Sequence, residues 1–461
     1  MNKTKDMDLG KEPIGKLFFM LAVPAIASQV VNALYNIVDR MYIGHISEVG
    51  SIALTGVGVC FPIIMIVSAF AALVSMGGAP RASIMMGKGK HEEAEKILGN
   101  CFQALIITSL ILTVVILTCK TPLLMLFGAS DNTLPYAESY MLIYAIGTVF
   151  VQLTLGMNAF ISAQGFSRIS MLTVVIGAVT NIMLDPILIF LFDLGVQGAA
   201  LATVLSQAVS AVWVIRFLIG KQTIIRLRRK CFKIEKAVLL PAMALGIAPF
   251  IMQSTESLLI LCFNSSLLQY GGDVAVGTMT ILSSVMQFAM MPLIGFTQGS
   301  QPIISYNYGA GNIQRIRQGF RLLLISCLTY ATLLWFLVML FPQLFAAVFT
   351  SDPELMEMTI WGLRVYMFGS LLMGAQLACQ QTFIALGNAK TSAFLAMFRK
   401  LIVLIPLIYI LPSFFENKVL AVFLAEPIAD ILAVITTVTL FAIEFKKLMQ
   451  RPNAKTDIHT V

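Results

Sequence analysis

Charge is scarce in this chain: Asp, Glu, Lys and Arg make up 12% of its 461 residues, against 58% hydrophobic residues. That is about half the ~25% charged share of a soluble domain. A water-facing surface cannot be assembled from so few ionic groups, which excludes an ordinary soluble globular protein. Histidine is almost missing, with His45, His91 and His459 the three in the chain, so any internal proton relay has to rest on carboxylates. The seven cysteines (Cys60, Cys101, Cys119, Cys231, Cys262, Cys327 and Cys379) are odd in number, scattered and never spaced C-x-x-C. That pattern argues against a disulfide framework or a zinc centre. MGKGK (86–90) is too short and wrongly placed for a phosphate loop, so no ATP site is expected.

What the chain does have is long apolar runs, with a mean hydropathy of +0.88. Dividing it where charges, Gly, Pro and Asn cluster gives twelve segments long enough to cross a ~30 Å hydrocarbon layer. Their limits are near 15–43, 51–77, 98–119, 134–159, 169–190, 197–219, 236–268, 275–300, 318–342, 354–384, 392–413 and 418–445. The connections are too long for barrel hairpins, so helices must satisfy the backbone in lipid. The expected fold is an all-α polytopic membrane protein. The polar start MNKTKDMDLGKEPIGK leads into an apolar stretch longer than a signal-peptide core and without an A-x-A exit, so the first span is read as retained.

The basic residues are segregated. Of 31 Lys and Arg, 25 fall at the termini and in alternate loops; only Lys120 and Lys418 fall on the opposite side, and Arg40, Arg364, Arg399 and Lys400 lie within spans. Both termini should therefore be cytoplasmic, and the +8 net charge reads as a topology signal, not as a nucleic-acid patch.

The chain also repeats itself. APRASIMMGKGK (79–90) overlies SQPIISYNYGAGN (300–312), with Pro80 on Pro302, Ser83 on Ser305, Gly87 on Gly309 and Gly89 on Gly311. At the same offset of 222, Ala163, Gly165, Arg168 and Ser170 meet Ala385, Gly387, Lys390 and Ser392. Pro24 meets Pro249 at an offset of 225. Two pseudo-symmetric six-helix lobes in parallel orientation are implied. The expected division is an N-lobe at 1–220, a cytoplasmic linker at 221–236, a C-lobe at 237–445 and a cytoplasmic tail at 446–461, with a substrate cavity between the lobes.

An ionised side chain at mid-membrane costs ~2.5–3.5 kcal/mol on insertion scales, so intramembrane acids are functional candidates. Counting along the spans brings Asp39, Asp185 and Thr203 to one depth in the first half, and Asn181 lies one turn from Asp185 on the same face. Two carboxylates, an amide and a hydroxyl suit Na+, or a like-charge pair that holds a proton. Pro186 weakens the local backbone ladder. The structural alternative is that these acids simply pair with a buried Arg40 or with polar neighbours. In the second half, Glu256 lies near the middle of span seven, with Gln253, Gln287 and Gln301 and several methionines as candidate cavity walls for a cationic substrate. Arg399 and Lys400 in span eleven are expected to pair with Glu426 and Asp430, one turn apart in span twelve; for Arg364 a structural role is expected.

Three motifs occur in order: P-x14-D-R-M-Y-I-G from Pro24 through Asp39 to Gly44, N-x3-D-P at Asn181, Asp185 and Pro186, and G-x2-Q-G-S-Q-P-I-I-S-Y-N-Y-G-A-G over 295–311. Along essentially its whole length the chain resembles the multidrug and toxic compound extrusion (MATE) family. The resemblance implies two six-helix lobes around a V-shaped cavity and antiport of organic cations against Na+ or H+. It further implies a cation site at Asp39, Asn181, Asp185 and Thr203, and a C-lobe acid at Glu256. Gln380 and Gln381 stand where some members carry an acid in span ten. No cofactor and no metal beyond transient Na+ is expected. The expected partners are small organic cations and the bilayer of the cell inner (plasma) membrane, with the chain acting as a monomer. Two rival readings are a flippase for lipid-linked saccharides, which needs a cationic cavity for pyrophosphate, and an intramembrane enzyme, which needs clustered Asp with Mg²⁺ or a His-centred pair.

Overall fold

Proline punctuates these helices without ending them: Pro24, Pro62, Pro80, Pro122 and Pro427 all lie inside continuous helices. Membrane helices tolerate this because neighbouring helices and local adjustments satisfy the freed carbonyls. The computed structural model describes residues 8–46 and 49–449. His459, residues 1–7 and most of the expected tail lie outside the described residues. Among the described residues every regular element is helical, and ten helices are long and apolar enough to cross a membrane.

The ten reduce to twelve spans for two local reasons. Spans seven and eight form one helical run, Lys236–Gly309, interrupted only at Gly272, whose φ of 63° and ψ of −158° reverse the chain where a side chain would be strained. Span ten is broken into Pro353–Tyr366 and Ser370–Ala385, each too short to count alone. The others are Ile14–Gly44, Gly50–Gly87, His91–Leu126, Leu134–Ala163, Ser167–Leu191, Gly195–Ile219, Ile313–Leu340, Ala389–Ser413 and Lys418–Leu448.

The repeat is written in the backbone. Gly89 and Gly311 have φ of 75° and 71°, and Gly165 and Gly387 have φ of 91° and 79°. Both pairs end helices at the offset seen in sequence, where a left-handed residue turns the chain. The segment around 295–311 is helical as far as Gly309, so this motif is a helix end and not an open loop.

The chain divides into two compact units, 23–253 in one and 1–22 with 254–461 in the other. Their boundaries thus fall inside spans one and seven, next to Pro24 and Pro249, instead of at the 221–236 linker. Glycines account for the exchange. In the second unit the first half of span one packs on span eight, where a Cβ on Gly299 would meet the Ala22 Cα at 2.5 Å, and Leu17, Phe18 and Leu21 join Leu293, Ile303 and Ile304 in its core. In the first unit the start of span seven packs on span two, where a Cβ on Gly77 would lie 1.9 Å from the Ala242 carbonyl oxygen and one on Gly246 would lie 1.8 Å from that of Leu73.

Each exchanged half-helix is also held by polar groups at its leading end. Asn307 and Arg315 donate to the Leu9 carbonyl at 3.0 and 3.1 Å, and Arg315 donates to that of Glu12 at 2.7 Å. The linker is pinned in the same manner. Gln164 Oε1 accepts from Thr223, Ile224 and Ile225 at 2.8–3.0 Å, Glu95 from the Arg226 amide at 3.1 Å, and Asn100 from the Glu235 amide at 2.6 Å.

Candidate functional site

In the 23–253 unit, span one brings Asp39 and span five brings Asp185 close enough for their carboxyl groups to interact. Two carboxyl groups this close can hydrogen-bond to each other only when one of them holds a proton. Asn181, one helical turn before Asp185, donates from Nδ2 to Asp185 Oδ1 at 3.3 Å. Asp185 and Asn181 are buried. Beyond Pro186 the helix widens into a π segment, Ile187–Leu191, as expected where a proline interrupts the ladder. Thr203, on span six, reaches the cluster indirectly, through a hydrogen bond with Tyr140, which in turn interacts electrostatically with Asp39.

Three of these oxygens, Asp39 Oδ1, Asn181 Oδ1 and Asp185 Oδ2, are buried without a hydrogen-bond partner in the protein. Such groups are expensive unless something satisfies them. Arg40 does not do so: it is exposed, with its guanidinium 5.5 Å from the Phe61 ring centroid. Arg40 interacts electrostatically with Asp39 without being buried beside it, and Asn181 is a polar neighbour of Asp185. The tyrosines are what sequence reasoning missed. Tyr35 interacts with both aspartates, and Tyr140 stacks on Tyr144 with centroids 6.3 Å apart. Tyr35 is i−4 from Asp39, and Tyr140 and Tyr144 are i, i+4 on span four, so helical spacing alone contained the signal.

In the other unit the charged residues satisfy one another. Arg399 donates from Nε to Asp430 Oδ1 at 2.8 Å and from Nη2 to Glu426 Oε1 at 2.9 Å. Lys400, expected on the same acids, instead binds Glu256 Oε2 on span seven. Successive residues of a helix point ~100° apart, and here Arg399 reaches span twelve while Lys400 reaches span seven. Span eleven is also a π segment here, Phe398–Leu404, with Pro406 just beyond. The Lys400 side chain is 8% exposed and that of Glu256 56%. Both cations are thus turned toward acids of their own unit. Asp430 Oδ2 is buried without a partner, and it lies against Gly369, where an added Cβ would be 3.2 Å away. Arg364 is exposed at the end of its helix.

The glutamines expected beside Glu256 separate. Gln287 is exposed and about as far past Gly272 as Glu256 is before it. Gln301 is half-buried another 14 residues along, about 21 Å at the helical rise, whereas Gln253 is three residues, within one helical turn, from Glu256 on the same helix. Met286 is buried in the core of the unit, with Met290 packed against that core.

A membrane-spanning duplicated bundle with polar clusters on spans one, five and six and on seven, eleven and twelve defines a transporter architecture. The MatE family model matches residues 24–187 and 248–410, one copy in each half, and the chain belongs to this family of transporters. It is 25% identical over 422 residues to the multidrug export protein MepA of Staphylococcus haemolyticus (strain JCSC1435), covering 91% of this chain and 92% of that one. MepA of Staphylococcus aureus (strain MSSA476) is 25% identical over 88% of this chain and 89% of its own. The fold is that of an outward-facing multidrug resistance MATE family transporter of the MOP superfamily, with a TM-score of 0.86 at 23% identity over 98% of this chain and 100% of that one. It is shared also with a MOP superfamily transporter from Pyrococcus furiosus described as having a binding pocket of reverse polarity, with a TM-score of 0.90 at 22% identity over 98% and 100%.

Proposed function

We propose that this chain is a secondary active exporter of amphipathic organic cations, driven by the entry of H+ or Na+ at Asp39, Asn181, Asp185 and Thr203. The observation that carries this reading is the trio of buried, unpartnered oxygens on Asp39, Asn181 and Asp185. In a low-dielectric site two carboxylates repel, and a proton or a Na+ relieves both the repulsion and the missing hydrogen bonds. An ion can drive a transporter only if it binds one conformation better than another; a tenfold preference is ~1.4 kcal/mol. Pro24 and Pro186 supply bending points in the two helices that bring the aspartates. The half-exposed Glu256 is the substrate-facing acid, and the multidrug export function of the MepA relatives supports the substrate class.

Transport of ethidium in proteoliposomes under separately imposed H+ and Na+ gradients tests this. One gradient should drive uphill efflux and Asp39→Asn should abolish that response; wild-type uphill efflux from the folded variant would overturn the site. The cation distribution supports a cytoplasmic linker and cytoplasmic termini. A cysteine introduced at Lys230, in a chain whose exposed Cys119 has been replaced, should be inaccessible to an impermeant thiol reagent from outside, and external labelling would refute the orientation.

A further inference from the structure

Glu256 is not a free acid waiting for a ligand. Its Oε2 is held by Lys400, whose side chain is 8% exposed while that of Glu256 is 56% exposed. A cation arriving at the open side of Glu256 therefore meets a carboxylate already neutralised from within. We propose that Lys400 is a built-in competitor for the cationic substrate at Glu256, and that on substrate binding its ammonium is handed to Glu426. This rests on the reading of Glu256 as the substrate-binding acid.

The charge count of the cluster supports the hand-over. Glu256, Glu426 and Asp430 face Arg399 and Lys400, three acids against two bases. When a monovalent cation takes Glu256, the two bases match the two remaining acids one to one. Lys400 then lacks its carboxylate, and a nearly buried ammonium whose charge is no longer balanced is strongly unfavourable. The receiver is at hand: Lys400 already interacts electrostatically with Glu426, and Arg399 uses that residue's Oε1, not its Oε2. Arg399 stays on Asp430, which it holds through two contacts of 2.7 and 2.8 Å. The flexible four-carbon stem and point charge of lysine suit a group that changes partners, whereas the planar fork of arginine suits one that stays. The two adjacent residues thus divide the work: Arg399 anchors span twelve and Lys400 exchanges between spans seven and twelve.

The test is ethidium binding to the purified full-length chain in lipid nanodiscs, with an uncharged dye of similar size as control. Lys400→Gln leaves Glu256 half-exposed and strands no buried charge, so it should fold, and it should bind ethidium about tenfold more tightly while leaving the uncharged dye unchanged. Lys400→Arg, which keeps the charge, should return affinity toward wild type. Glu426→Gln, which removes the receiver, should weaken ethidium binding although Glu256 is intact. Glu256→Gln separates the two levels of the argument. If it weakens ethidium binding but Lys400→Gln does not tighten it, the competitor is wrong and the substrate site stands. If Glu256→Gln leaves binding unchanged, the substrate site is wrong and the hand-over falls with it.

Discussion

The two halves place polar side chains on corresponding helices, spans one, five and six against seven, eleven and twelve, and use them in opposite ways. In the 23–253 unit, among the described residues, no base forms an ion pair in the cluster, and three buried oxygens go without a hydrogen-bond partner. In the other unit, two bases take up most of the capacity of three acids. The levels differ too. Asp39 lies 15 residues after Pro24, while Glu256 lies 7 after Pro249, a difference of about 12 Å along the helix. Duplication therefore conserved where a helix can be opened, at a π segment in the fifth helix of each half, without conserving what the opening is for. One cluster leaves buried oxygens without a hydrogen-bond partner; the other is nearly satisfied by its own bases.

The largest expected effect tests whether the second cluster is held by its own bases. Arg399→Leu strands Glu426 and Asp430 and should lower stability by ~3–5 kcal/mol, read as thermal unfolding in detergent. Asp185→Asn removes no counter-ion and should shift stability by no more than about 1 kcal/mol. Equal losses would erase the contrast between the halves. In transport the order reverses. Asp39→Asn should cut gradient-driven efflux at least tenfold, about 1.4 kcal/mol, while substrate still binds. A smaller effect is expected at Glu256→Gln: transport of organic cations should drop about threefold to tenfold with neutral compounds spared, and equal loss for both would remove its electrostatic role. The smallest is Arg40→Ala, which loses one exposed ring contact worth ~0.5–1 kcal/mol and should leave efflux intact. A collapse of efflux there would restore Arg40 as partner of Asp39.

The cluster around Asp39 was legible because it obeys regular helical arithmetic. Asn181 and Asp185 are one turn apart, and counting from the helix ends levels them with Asp39. Lys400 was misassigned because two adjacent cations look interchangeable in sequence, whereas their directions diverge across a π segment that no periodicity announces. The repeat foretold the matching turn glycines, since a left-handed residue constrains its type. It did not foretell the exchange of half-helices at Ala22 and Gln253. Glycines such as Gly77, Gly246 and Gly299 read as general packing positions until the particular backbone each one admits is known.

The pinned linker has a consequence for handling the protein. With Lys221, Arg226, Arg228, Arg229, Lys230, Lys233 and Lys236 in succession, this stretch looks like the natural place for trypsin to cut the chain into halves. A protease must draw a length of backbone into its cleft, and here Thr223, Ile225 and Leu227 are buried in alternation while Gln164, Glu95 and Asn100 hold the amides of Ile224, Ile225, Arg226 and Glu235. The region richest in scissile bonds should thus be a guarded one, and limited digestion should begin at 228–230, where three consecutive basic residues are exposed.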